Sequence, residues 1–190
     1  MSTVTAQPTT YGLDASIARF SVPRYQRMIE TGILTTEDKV ELLENYVVLK
    51  MPKNPPHDGT IDLVKAAFSR LPAGWLLRVQ QTVVLSDSQP EPDFAVVRGN
   101  PRSFLSRHPV VTDIGLLIEV ADSSLQRDRQ DKLRICARAG IPCYWIVNIP
   151  DSQVEVYTAP SGATAGKAKM TRSELELPSL IFTGVVHVVP

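Results

Sequence analysis

The stretch that most limits what this chain can fold into is IGLLIEV, residues 114–120. A short, nearly continuous apolar run of this kind predicts a strand buried on both faces, and such a strand needs layers packed above and below it. It is followed by SSLQRDRQDKLRICARAG, which has a serine start and a stop at Gly140, and so predicts a helix. PCYWIVNI then predicts a second buried strand. Strand, helix and strand in that order point to an α/β layer fold around one mixed sheet. The run also holds a carboxylate, Glu119, near its end. Burying an ionised acid is costly, so this position asks for an explanation in chemistry.

The remaining elements fit around this centre. SVPRYQRMIETG predicts a short helix begun by Ser21. KVELLENYVVLKM predicts a hairpin turning at Glu44-Asn45. MPKNPPHDG reads as a proline-punctuated loop, and TIDLVKAAFSRL as a helix with Ile61, Val64, Phe68 and Leu71 on one face. GWLLRVQQTVVL and DFAVVR read as strands joined by the turn-rich SDSQPEP. Residues 99–112 read as loop or broken helix, QVEVYT as a strand, SGATAGKAK as a flexible turn, and LIFTGVVHVV as a final strand-like run or dimer contact. Residues 1–18 are expected to form a loose tail before a single domain over residues 19–190.

Composition narrows the function. With 20 basic and 20 acidic residues the net charge is zero, which argues against non-specific nucleic-acid binding over a broad basic face. Cys136 and Cys143 have no CxxC spacing, so a disulfide framework or zinc site is not indicated. There is no signal-like start and no apolar stretch long enough for a membrane span, so a cytoplasmic protein is expected.

On a helical wheel, Asp128, Lys132, Ile135, Cys136 and Ala139 share one face, while Arg127, Asp131, Arg134 and Arg138 share the other. Asp128 and Lys132 therefore point to the sheet, spaced to pair, and the arginines are expected to face water. Glu119 ends one predicted strand and Asp93 begins another. Taken singly, each acid reads as an ordinary strand-end residue. As neighbours, they would make an oxygen-ligand site for a hard cation, with Lys132 placed to balance charge on a phosphoryl group. Arg98, Arg102 and Arg107 make the loop after Asp93 locally basic, either as solvated charge or as phosphate-positioning groups.

These blocks have a family resemblance. IEVADSSL, DRQDK and AGIPCYWIV in that order, with PEPDFAVVR, VQQTVVL and PPHDGTIDLV before them, resemble the Uma-type "putative restriction endonuclease" family of the PD-(D/E)XK nuclease superfamily. The resemblance implies a restriction-endonuclease-like fold, a central mixed β-sheet flanked by helices, with an N-terminal helix and hairpin. It also implies a Mg2+-dependent endonuclease (Mn2+ an alternative) acting on DNA, plausibly as a homodimer. Asp93 matches the superfamily aspartate and Glu119 the second acid. The position two residues after that acid, often lysine in the superfamily, is Ala121, and Lys132 on the next helix stands in for it. Glu41 matches an early glutamate that would join Asp93 and Glu119 as a metal or water ligand. Gln80, Asp128 and His57 match supporting positions. The chain departs from the family pattern at Glu44-Asn45, Cys136, Cys143 and Asn148. The alternative is a non-catalytic module that keeps the fold for oligomerisation or partner binding.

Overall fold

The computed structural model describes residues 17–161 and 169–176. Ser21 caps helix α1 (Val22–Glu30) by accepting from the Arg24 amide at 3.4 Å, and a proline occupies its first turn. The helix buries Val22 and Tyr25 against Leu42 of a hairpin formed by β1 (Val40–Leu43) and β2 (Tyr46–Leu49). Glu44 and Asn45 make the turn with φ of 50° and 69°. Left-handed backbone suits a hairpin turn and is easy for Asn, but it costs Glu about 1 kcal/mol.

The proline segment read as a loop is instead the start of α2 (Pro55–Ala67). Asn54 accepts from the His57 amide at 3.1 Å, and a proline in the first turn forfeits no hydrogen bond there. His57 thus lies inside the helix's first turn, not ahead of it. Ile61 and Val64 are buried as their spacing predicts. Phe68 caps the helix and meets Trp145 edge-on at 6.0 Å, while Leu71 lies beyond the helix end.

The central sheet has six strands in the order β3 (Trp75–Val79), β4 (Phe94–Arg98), β5 (Ile114–Ala121), β6 (Cys143–Asn148), β7 (Gln153–Ser161) and β8 (Lys169–Glu176). Only β5 and β6 run parallel; the helical segment between them makes the crossover such a pair requires. One face packs Ala95, Val97 and Leu117 on Ile135, Cys136 and Leu43. The other packs Val96, Leu116 and Ile118 on Ile61, Val64 and Phe68 of α2. Each fully buried aliphatic side chain contributes roughly 2 kcal/mol, so β5, covered on both faces, anchors both layers. Gly115 interrupts its apolar run where the β4–β5 register slips. A Cβ there would stand 2.5 Å from the Trp75 ring, so glycine lets that ring close over the strand.

Three sequence expectations change. The strand predicted through Leu85 ends at Val79, because Gln80 turns left-handed (φ 51°); Val83 and Leu85 are buried without belonging to a sheet strand. β8 adds a strand where the charged sequence KMTRSELE gave no apolar signal. The predicted helix after β5 is three pieces: α3 (Leu125–Arg127), a π-helical turn (Asp128–Lys132) and α4 (Leu133–Ala139), ended by Gly140 at φ 77°. The run LIFTGVVHVV and nearly all of the expected N-terminal tail lie outside the described residues.

Candidate functional site

The sheet register builds the site. Phe94 pairs with Ile118, so continuing the ladder one residue sets Asp93 opposite Glu119. Both leave the sheet on the face covered by α3 and α4. Asp93 Oδ2 accepts from the Val120 amide at 2.9 Å and lies 3.2 Å from His57 Nε2, while Oδ1 accepts from the Gln80 amide at 3.3 Å. Burial pushes the Asp93 carboxyl up, but His57 and the Val120 amide outweigh it and hold it below its ordinary value. The same contact raises the His57 imidazole.

Lys132 is the hub of the other half. Its Nζ lies 2.9 Å from Glu119, 3.8 Å from Asp128 and 3.9 Å from Glu41. Burial disfavours its charge, yet the three carboxylates prevail and raise it. Glu119 is pushed well above the usual carboxylate range by burial, against the pull of Lys132 and with Asp128 and Asp93 adding to the rise. Asp128 is raised for the same first reason, and its Oδ2 accepts from Ser124 at 2.6 Å. Glu41 Oε2 accepts from the Glu91 amide at 3.2 Å. The π turn contributes to this arrangement: the Leu133 amide reaches back five residues to the Asp128 carbonyl, which also accepts from Tyr144 at 3.3 Å. Extra-wide turns of this kind recur at functional sites.

Every site residue read from the sequence, Glu41, His57, Gln80, Asp93, Glu119, Asp128 and Lys132, lines one cleft of about 630 Å³. Asp93, Glu119, Asp128 and Glu41 are all buried at its floor. Lys39, Lys50, Lys53 and Arg127 line it as well. Sequence reasoning missed Ser124 as the partner of Asp128, and Asn54, which caps the His57 helix and donates to Asp122 at 2.6 Å. An Asn followed by two prolines was the available signal for the cap.

The arginines expected to face water do not all do so. Arg134 binds Glu44 and Asp131, and Arg138 binds Glu44 and Asp87. Arg127 donates to the Leu49 carbonyl at 2.8 Å. This face of the helix fastens the hairpin that carries Glu41. Of the loop arginines, Arg107 is occupied by Asp113 and Arg98 lies over Trp75; none of Arg98, Arg102 and Arg107 lines the cleft.

The donor set fits a hard divalent cation. Three buried carboxylates share Lys132 and a fourth, Asp93, meets His57, leaving raised acids that a cation would relieve. Among the described residues, no three His, Cys, Asp or Glu side chains are grouped to hold an ion by themselves. Magnesium commonly takes one or two protein carboxylates and completes its shell with water and phosphate oxygens, so the two facts agree.

This fold has relatives. A crystal structure of "a putative nuclease belonging to DUF820" from Anabaena variabilis superposes with a TM-score of 0.59 over 84% of this chain and 86% of that one, at 13% identity. The common ground is a nuclease-like fold. The model of the Uma2 family, described as "Putative restriction endonuclease", matches residues 22–186, and the chain belongs to that family. No curated protein matches it. Among the described residues no helix is long and apolar enough to cross a membrane.

Proposed function

We propose that the protein is a divalent-metal-dependent endonuclease that hydrolyses DNA phosphodiester bonds, with magnesium or manganese as the ion. The observation that carries this is the Glu119–Lys132 contact at 2.9 Å, set among further buried acids at the floor of an open cleft. A charge cluster so costly to bury is poor engineering for stability and suits a site that handles phosphate. Asp93 and Glu119 would hold the ion and Glu41 would reach it through a water; when bound, the ion polarises the phosphoryl group and eases ionisation of the attacking water.

The chain's own groups do the rest. His57, Gln80 and the Val120 amide fix the Asp93 carboxylate in one orientation. Asp128, itself held by Ser124, keeps the Lys132 ammonium charged and near Glu119. There the ammonium can balance the charge that builds on the phosphoryl oxygens during attack. One cleft addresses one strand, so double-strand cleavage under this reading calls for a homodimer.

The test is cleavage of plasmid DNA with magnesium or manganese by wild type and Glu119→Gln. The variant is expected to lose about a hundredfold or more in rate while its Tm stays level or rises, since one of several buried like charges is gone. Manganese titration by calorimetry should give heat with wild type and none with Asp93→Asn. A Glu119→Gln variant that cuts as well as wild type sinks the assignment.

A further inference from the structure

Among the described residues, Arg78 is a half-buried cation without a counter-ion. It lies on β3 opposite Ala95, so its side chain leaves the sheet on the face that carries Asp93 and Glu119. Its guanidinium is stacked on Phe104, 5.2 Å from the ring centroid, and its Nε is buried with no hydrogen-bond partner. Among the described residues no carboxylate pairs with it. Of the other partly buried arginines, Arg129 is bound by Glu155, and Arg134 and Arg138 by Glu44, while Arg127 donates to the Leu49 carbonyl. Burial lowers the Arg78 pKa.

Its place is as informative as its lack of a partner. Two residues further along the chain, Gln80 donates to Asp93 at 3.3 Å. Two residues span at most roughly 7 Å, so Arg78 lies within about one phosphate step of Gln80 along the chain. Gln80 lines the cleft and Arg78 does not, so Arg78 lies beyond the cleft wall on the strand that leads to Gln80. The Phe104 ring strips part of the water from the guanidinium, which favours charge-assisted binding of a phosphate.

We propose that Arg78 binds a backbone phosphate of the nucleic-acid strand, next to the phosphate held at Asp93 and Glu119. The proposal rests on the nuclease reading. It makes Arg78 a substrate-positioning residue and β3 the track along which the strand leaves the cleft. The contact is to phosphate, so it is blind to base sequence.

A fluorescently labelled DNA duplex tests it by anisotropy, in EDTA to prevent cleavage, across a sodium chloride series. Wild type, Arg78→Met and Arg78→Lys are compared, with Tm measured for each. Arg78→Met should weaken binding about five- to tenfold and lower the slope of log Kd against log salt by about one, the signature of one lost phosphate contact. Arg78→Lys keeps the charge and should keep the slope while binding somewhat more weakly. Wild-type binding with an Arg78→Met variant of unchanged Kd and slope overturns the proposal and leaves the nuclease reading standing. So does weakened binding with an unchanged slope and a lowered Tm, which is a packing defect. A wild type that neither binds nor cuts DNA overturns the nuclease reading, and this proposal with it.

Discussion

Lys132 holds three acids together, and its removal exposes what each side chain costs. Its Nζ is the cation nearest Glu119, with Asp128 and Glu41 at the next distance. Replacing it with methionine keeps the volume and leaves the carboxylates facing one another in a buried site. Breaking such a cluster costs about 3 kcal/mol, and Lys132→Met should lose that much stability near neutral pH by urea denaturation. The loss should shrink as pH falls. Without the ammonium, Glu119 and Asp128 are raised further above their unfolded values, so each proton they take up favours the folded state. A deficit that stays constant from pH 8 to pH 5 would mean the acids do not depend on Lys132. Much of this residue-level picture was legible in the sequence. An acid in an apolar run and a lysine on the apolar side of the next helix both stand out against their neighbours. What could not be read was that Asp93 faces Glu119, since that rests on a strand register set by distant packing.

At the scale of elements, the helix after β5 is the part the wheel treated too simply. A uniform 100° step put Asp128 and Lys132 inward correctly, but a π turn spans these very residues and alters the phase of everything after it. The wheel also cannot see partners in space, so Arg134 and Arg138 read as solvated although both bind Glu44 on the β1–β2 hairpin. That contact accounts for a glutamate at a left-handed turn position with φ of 50°. A glycine would relieve the backbone, but it could not hold the arginines. β8 was illegible for a different reason, because its charged sequence carries no apolar signal, and the π turn had no signal at all. Glu44→Ala should keep the backbone cost and lose the clamp. By hydrogen exchange, the amides of β1 and β2 should open about tenfold more readily, roughly 1.4 kcal/mol, a magnitude fitting a partly exposed ion-pair network. Catalysis should fall with it, since Glu41 rides on β1. Exchange unchanged in the hairpin would show that α1 and the core hold it without the arginines.

Over the whole molecule, the balanced charge conceals two buried acid sites whose leading acids titrate in opposite senses, although Asp93, in the first, is lowered like the second. One is the site, where Glu119 and Asp128 are raised. The other lies on β7, where Glu155 accepts from Arg129, Tyr157 and Asn148. Burial there opposes ionisation, yet those hydrogen bonds and the Arg129 charge win and pull Glu155 down to about 2 from an ordinary 4.5. Asn148 is part of the reason: its side-chain amide donates to Glu155, where a carboxylate would oppose it. The signs then follow from proton counts. For Glu119 and Asp128 the folded state binds the extra proton, so stability rises as pH falls from neutrality toward their unfolded values. For Glu155 the unfolded state binds it, so its contribution is complete above about 4.5 and is lost as pH falls toward 2. Stability should therefore peak on the mildly acid side of neutral and drop steeply below it. The Glu155 contribution amounts to about 3 kcal/mol by the size of the shift. Thermal melts of wild type, Glu155→Gln and Glu119→Gln from pH 8 to pH 2 separate the two limbs. Glu155→Gln should be less stable than wild type at pH 7 and converge on it in acid. Glu119→Gln should flatten the limb above the peak and leave the acid limb alone. Parallel acid limbs for wild type and Glu155→Gln would place the acid lability elsewhere in the molecule.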